Sequence, residues 1–148
     1  MKKQFHNEEV IKREQARMQN RACRPHLYGK KITVPTRNGS MHAFVYNSKN
    51  LHPGYLIVEV HGGGFMYNTA ADDDDFCHFI HQTLGIPVIA CDYSLTPEHP
   101  FPIGLEDVYD CVLHALSMKE LKARPDRIIL WGHSAGANLA AGTVYMAR

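Results

Sequence analysis

The sequence predicts an α/β fold: an N-terminal hairpin followed by parallel strands that alternate with helices. Three observations carry that expectation. Apolar, β-branched runs at 55–60, 87–93 and 127–132 are continuous rather than alternating, as in parallel strands covered on both faces. A stretch of helical character follows each run, giving the order β-α-β-α-β-α. Before them, Asn38-Gly39 sits between two β-rich segments, the strongest short signal for a hairpin.

Residues 7–23 are expected to form a helix, with Asn7 as cap and Glu8 and Glu9 in the first turn, where the helix dipole favours anions. Val10, Ile11, Met18 and Ala22 lie along it at loose helical spacing. The hairpin spans 30–47, and LHPG at 51–54 is a turn. The run from residue 55 continues to Phe65 through three glycines, and a helix over 72–84 is closed by Gly85-Ile86-Pro87. Three prolines make 94–102 a rigid irregular loop. Over 104–121, Leu105, Val108, Cys111, Val112, Ala115 and Leu116 share one helix face. The third apolar strand, 127–132, leads into a small-residue helix at 134–147, and Trp131 is expected in the core.

The 148 residues suit one domain, with no internal repeat or low-complexity linker. A formal net charge of +1 gives no electrostatic reason to expect nucleic acid or an anionic membrane as partner. No stretch approaches a membrane span, and no apolar core follows the two N-terminal lysines as in a signal peptide. The four cysteines are scattered, with no C-x-x-C pair, and read as buried reduced thiols. A cytoplasmic chain is expected; nothing in the letters sets an oligomeric state.

Active sites of open α/β sheets form at the C-terminal ends of the strands. Two of the three runs end there in glycine-rich turns: His61-Gly62-Gly63-Gly64, and Gly132-His133-Ser134-Ala135-Gly136. A serine squeezed between strand and helix needs small neighbours two places away on each side, here Gly132 and Gly136. Ser134 then stands above the sheet, with the Ala135 amide at a helix N-terminus. Acyl transfer develops a negative oxygen that requires preorganised N–H donors. Gly62 and Gly63, lacking Cβ, let the backbone approach a substrate, while His61 is expected to fix that loop by hydrogen bonding.

HGGGF, DYSLTPEHPFP, EDV and GHSAGANLAA, in this order over 55–142, resemble the hormone-sensitive-lipase-type esterases. That resemblance implies a partial α/β-hydrolase fold, one incomplete domain. Residues 1–28 would be a cap or lid helix and 30–148 the N-terminal half of the catalytic core. It also implies a small-molecule ester substrate, no cofactor, Ser134 as nucleophile, and Gly62, Gly63 and Ala135 as oxyanion donors. His61, Gly64, Gly132 and Gly136 complete the motifs. Ser94, Thr96, His133 and Ala137 depart from the family's arginine, alanine, aspartate and glycine, which bears on specificity and loop packing.

The family's triad runs serine, acid, histidine along the chain, yet the fourteen residues after Ser134 contain no Asp, Glu or His. Neighbouring side chains at a strand end diverge, which argues against His133 as base. His99 lies in the proline loop without an evident orienting carboxylate. The base is therefore expected from sequence absent here, in a protein about twice as long, with 127–131 as an apolar edge and poor activity by itself. The alternative is a non-catalytic small-molecule-binding protein on the same scaffold.

No metal is expected. Asp72–Asp75 reads as an acidic helix start, and His78 and His81, three apart, lack an evident third ligand. The triple glycine is not followed by G-K-[ST], so it is not a phosphate loop. Phe65 and Tyr67 either line an acyl pocket or pack their own loop.

Overall fold

The computed structural model describes residues 27–148. The helix expected over 7–23, and most of the 1–28 cap, lie outside them. Strands β1 (Lys30–Thr36) and β2 (Gly39–Tyr46) form the hairpin, and β3 (Leu56–Val60), β4 (Val88–Asp92) and β5 (Ile128–Gly132) follow. Helices α1 (Asp74–Leu84), α2 (Ile103–Ser117) and α3 (Ala135–Met146) each follow one of the last three strands. The sheet order is β1-β2-β4-β3-β5, with β2 antiparallel to β4 and β3 parallel to both neighbours.

The hairpin turn falls one residue earlier than expected. Thr36 already pairs with Gly39, which leaves Arg37 and Asn38 as the loop. Gly39 enters β2 at φ +133, a conformation that a Cβ would oppose.

Helices cover both faces, which is why β3 is buried along its whole length. One face carries Leu56, Val58, Ile89 and Cys91 against Cys111 and Ala115 of α2, while Val60 packs on Val108 and on Leu139 of α3. The other joins Ile57, Val88 and Ala90 to Cys77 of α1.

Gly85 ends α1 at φ +64, its amide donating to the His81 carbonyl in a left-handed cap. Helix α2 stops at Ser117, short of the expected residue 121. Leu121 is fully buried and continues the apolar pattern, but it reaches the core from a turn in which its amide donates to the Met118 carbonyl. The periodicity recorded burial there, not helix.

Strand β5 lies at the sheet edge among the described strands, and its residues are half-buried or exposed in alternation. Trp131, expected in the core, is 46% exposed and rests against Phe76 with ring centroids 5.7 Å apart. Trp131 is exposed because β5 has no described strand on its far side.

Asp74 holds the sheet to the entering chain. It is buried, and its carboxylate accepts the Tyr28 and Gly29 amides at 3.0 Å each and the Tyr46 hydroxyl at 2.8 Å. Asp74→Ala leaves these donors without their acceptor and should lower the free energy of unfolding by at least about 2 kcal/mol. Urea denaturation checks this, and an unchanged midpoint would contradict it.

Candidate active site

Both glycine-rich turns leave the C-terminal ends of adjacent parallel strands, β3 and β5. Ser134 sits between β5 and α3 at φ 52, ψ −122, a conformation that non-glycine residues rarely adopt, and it is exposed. Space explains its glycines. A Cβ on Gly136 would run into the Val60 carbonyl, and one on Gly132 would meet the Gly136 backbone at 2.5 Å. The first turn of α3 therefore rests directly on the end of β3.

The His133 side chain turns to the loop that leaves β3. Its Nε2 accepts the Gly62 amide at 3.2 Å, and its Nδ1 lies 3.9 Å from Asp73 Oδ2. Gly62 is buried and its amide engaged; Gly63 is half-buried and Gly64 exposed, at φ +130 and +61. Among the described residues, the Gly63, Gly64 and Ala135 amides donate to no acceptor.

The proline loop is tied to the same place. The Tyr93 hydroxyl donates to the His61 carbonyl at 3.0 Å, and the two rings stack at 4.3 Å. His61 Nδ1 donates to the Gly62 carbonyl at 2.8 Å, so this ring does brace its loop, and burial holds its basicity down. Thr96, one of the departures, bonds the Phe65 carbonyl through both amide (2.8 Å) and hydroxyl (3.1 Å). Buried Asp107 accepts the Ser94 amide at 3.0 Å. A cavity of about 410 Å³ opens between this loop, α2 and α3, lined by Phe65, His99, Phe101, Leu105, Asn138 and Leu139 among others. Phe65 thus faces the cavity. Tyr67 does not; its amide closes a turn onto the Gly63 carbonyl at 3.0 Å.

A family model described as the alpha/beta hydrolase fold matches residues 57–148. The chain belongs to the α/β-hydrolase fold family. Within it, the relatives are of the hormone-sensitive-lipase and carboxylesterase type. The carboxylic ester hydrolase LipN of Mycobacterium tuberculosis is 33% identical over 119 residues, covering 79% of this chain and 32% of LipN. Human hormone-sensitive lipase is 42% identical over 85 residues, 57% of this chain and 8% of that protein. The esterase of the archaeon Pyrobaculum calidifontis superposes with a TM-score of 0.80 at 32% identity, covering all of this chain and 49% of that one. The chain therefore spans about half of this solved relative and a third or less of the curated ones.

Glu59 belongs to none of the sequence motifs. It lies in the middle of β3, 1% exposed, and neither carboxylate oxygen has a hydrogen-bond donor. Its close neighbour is the Asp73 carboxyl, itself an acceptor when ionised, so the two can bond only by sharing a proton. Burial, then the Asp73 charge, raises the Glu59 carboxyl from an ordinary 4.5 to about 9. Glu59, Asp73 and His133 offer ligand atoms all within 4.8 Å of one another. An acidic residue inside an otherwise apolar strand, LIVEV, was the available signal. The pair His78 and His81 has other partners: His78 stacks on Tyr28 at 3.8 Å, and His81 bonds Ser48, the Lys49 amide and the Ile86 carbonyl.

If the Gly136 contact fixes the turn, Gly136→Ala should cost about 1–3 kcal/mol, the scale of overpacking against backbone that cannot yield. Gly142→Ala meets only the tip of Leu105, at 2.9 Å, and should be far milder. Chemical denaturation of the two variants compares them, and equal losses would contradict the account.

Proposed function

We propose that this protein is a carboxylic-ester hydrolase, with Ser134 as the nucleophile. The observation carrying the reading is the backbone of Ser134, held at φ 52 beside a loop of free amides. Ser134 attacks the ester carbonyl, the carbonyl oxygen takes up the negative charge, and the alcohol leaves an acyl-serine for water to hydrolyse. The donor assignment shifts by one residue from the sequence expectation. Gly62 is buried and holds His133, which leaves Gly63, Gly64 and Ala135 to receive the oxyanion. The apolar cavity suits one arm of the ester. Asn138, one turn beyond Ser134 on α3, lines it, although Ser134 itself does not.

Removing the serine proton needs a general base, an imidazole in the serine–acid–histidine triad. His133 is committed to Gly62, His61 is buried under Tyr93, and His99 on the cavity wall has no carboxylate partner among the described residues. The reading therefore assigns the base and its carboxylate to residues outside these 148, consistent with coverage of 49% of the Pyrobaculum esterase. This chain by itself would then be poorly active. No described helix is long and apolar enough to cross a membrane; the buried free thiols Cys77, Cys91 and Cys111 support a reducing, cytoplasmic location. A second reading, a non-catalytic small-molecule-binding protein on this scaffold, rests on His133 and His61 both being engaged away from Ser134.

Fluorophosphonate labelling and hydrolysis of short-chain p-nitrophenyl esters, on the full reading frame encoding this chain, separate the two. The hydrolase labels at Ser134, and Ser134→Ala removes at least about a thousandfold of kcat. A folded protein that neither labels nor hydrolyses points to the binder.

A further inference from the structure

Four acidic side chains are buried or nearly so around β3 and β4, and three have visible support. Asp74 accepts three donors, Asp92 the Ala70 amide at 3.0 Å, and Asp107 the Ser94 amide. Glu59 has none. It is 1% exposed, with both oxygens unpartnered, and it faces a second carboxylate. Burying an ionised carboxylate without a counter-charge is costly, and a second carboxylate at close range adds repulsion.

What completes the cluster is a nitrogen ligand. His133 Nδ1 stands 3.9 Å from Asp73 Oδ2, too long for a hydrogen bond and wider than the roughly 3.4 Å between two ligands of one tetrahedral zinc, a gap that the half-exposed His133 side chain can close. The His133 side chain is 54% exposed and Asp73 25%, so the cluster is closed at Glu59 and open to solvent on the other side. An ion and a water can therefore enter. We propose that Glu59, Asp73 and His133 form a divalent-cation site beneath the glycine loop, with a donor set that suits zinc. One imidazole and two carboxylates with an open fourth position match zinc chemistry, whereas calcium and magnesium take oxygen ligands alone. Two carboxylates also neutralise the ion, and the ion gives the buried Glu59 oxygens the partner they lack.

The site is coupled to the loop above it. Nε2 now accepts the Gly62 amide, so the neutral ring carries its proton on Nδ1. Coordination through Nδ1 displaces that proton, and a neutral ring then carries one on Nε2, facing the Gly62 N–H. The ion and the Gly62–His133 hydrogen bond exclude each other.

The test is zinc titration of the metal-free protein, expressed from the full reading frame encoding this chain, by calorimetry, with histidine 15N spectra and amide exchange at Gly62. Magnesium serves as the contrast. The expected result is one tight zinc per chain, a changed His133 Nδ1 signal and lost protection of Gly62. In Glu59→Gln and in Asp73→Asn, affinity should fall by at least about tenfold, the loss seen even for residues that merely orient a ligand. Circular dichroism confirms folding, and Glu59→Leu supplies a variant whose apolar side chain suits the buried position. Absence of stoichiometric binding would overturn the proposal and leave Glu59 as a carboxyl sharing its proton with Asp73. So would zinc that binds equally well in the variants, or without moving the His133 and Gly62 signals, because it then sits on other histidines.

Discussion

The contact between the first turn of α3 and the end of β3 governs the rest of this structure. Gly136 lies against the carbonyl oxygens of Val60 and His61, and Gly132 against Gly136, with no room for a Cβ at either. Because nothing separates helix from strand, the β5–α3 turn is pressed towards the loop that leaves β3. That closeness gives Ser134 its unusual backbone and puts His133 within hydrogen-bonding distance of Gly62. A larger residue would lift the helix and separate the two loops.

Three loops then meet above the sheet, held together by short polar links. Tyr93 joins the proline loop to His61, Thr96 joins it to Phe65, and Asp107 fixes its beginning at Ser94. Irregular backbone of this kind would be floppy without such ties; in the proposed hydrolase they would fix the directions of the donor amides beforehand. Thr96 shows that a departure from the family pattern can strengthen the scaffold.

Along the opposite margin, β5 presents an unpaired edge among the described strands, with Ile129 and Trp131 partly exposed and Phe76 beside them. Apolar residues on an edge strand attract another strand or another chain. The apolar run 128–131 is as rich as that of a central strand.

The letters alone determined the order of elements, the parallel character of β3, β4 and β5, and the position of the two glycine turns. These follow from local rules: unbroken apolar runs, helical spacing, and glycine where a backbone must bend or be approached. Only the tertiary structure decided which amides are free, because whether Gly62 is engaged depends on His133, 71 residues away. It also decided that Leu121 is buried without being helical, that Trp131 stands at an edge, and that Glu59 lies unpartnered beside Asp73. Each of those facts is set by what a distant segment supplies or withholds, and spacing along a chain carries no record of it.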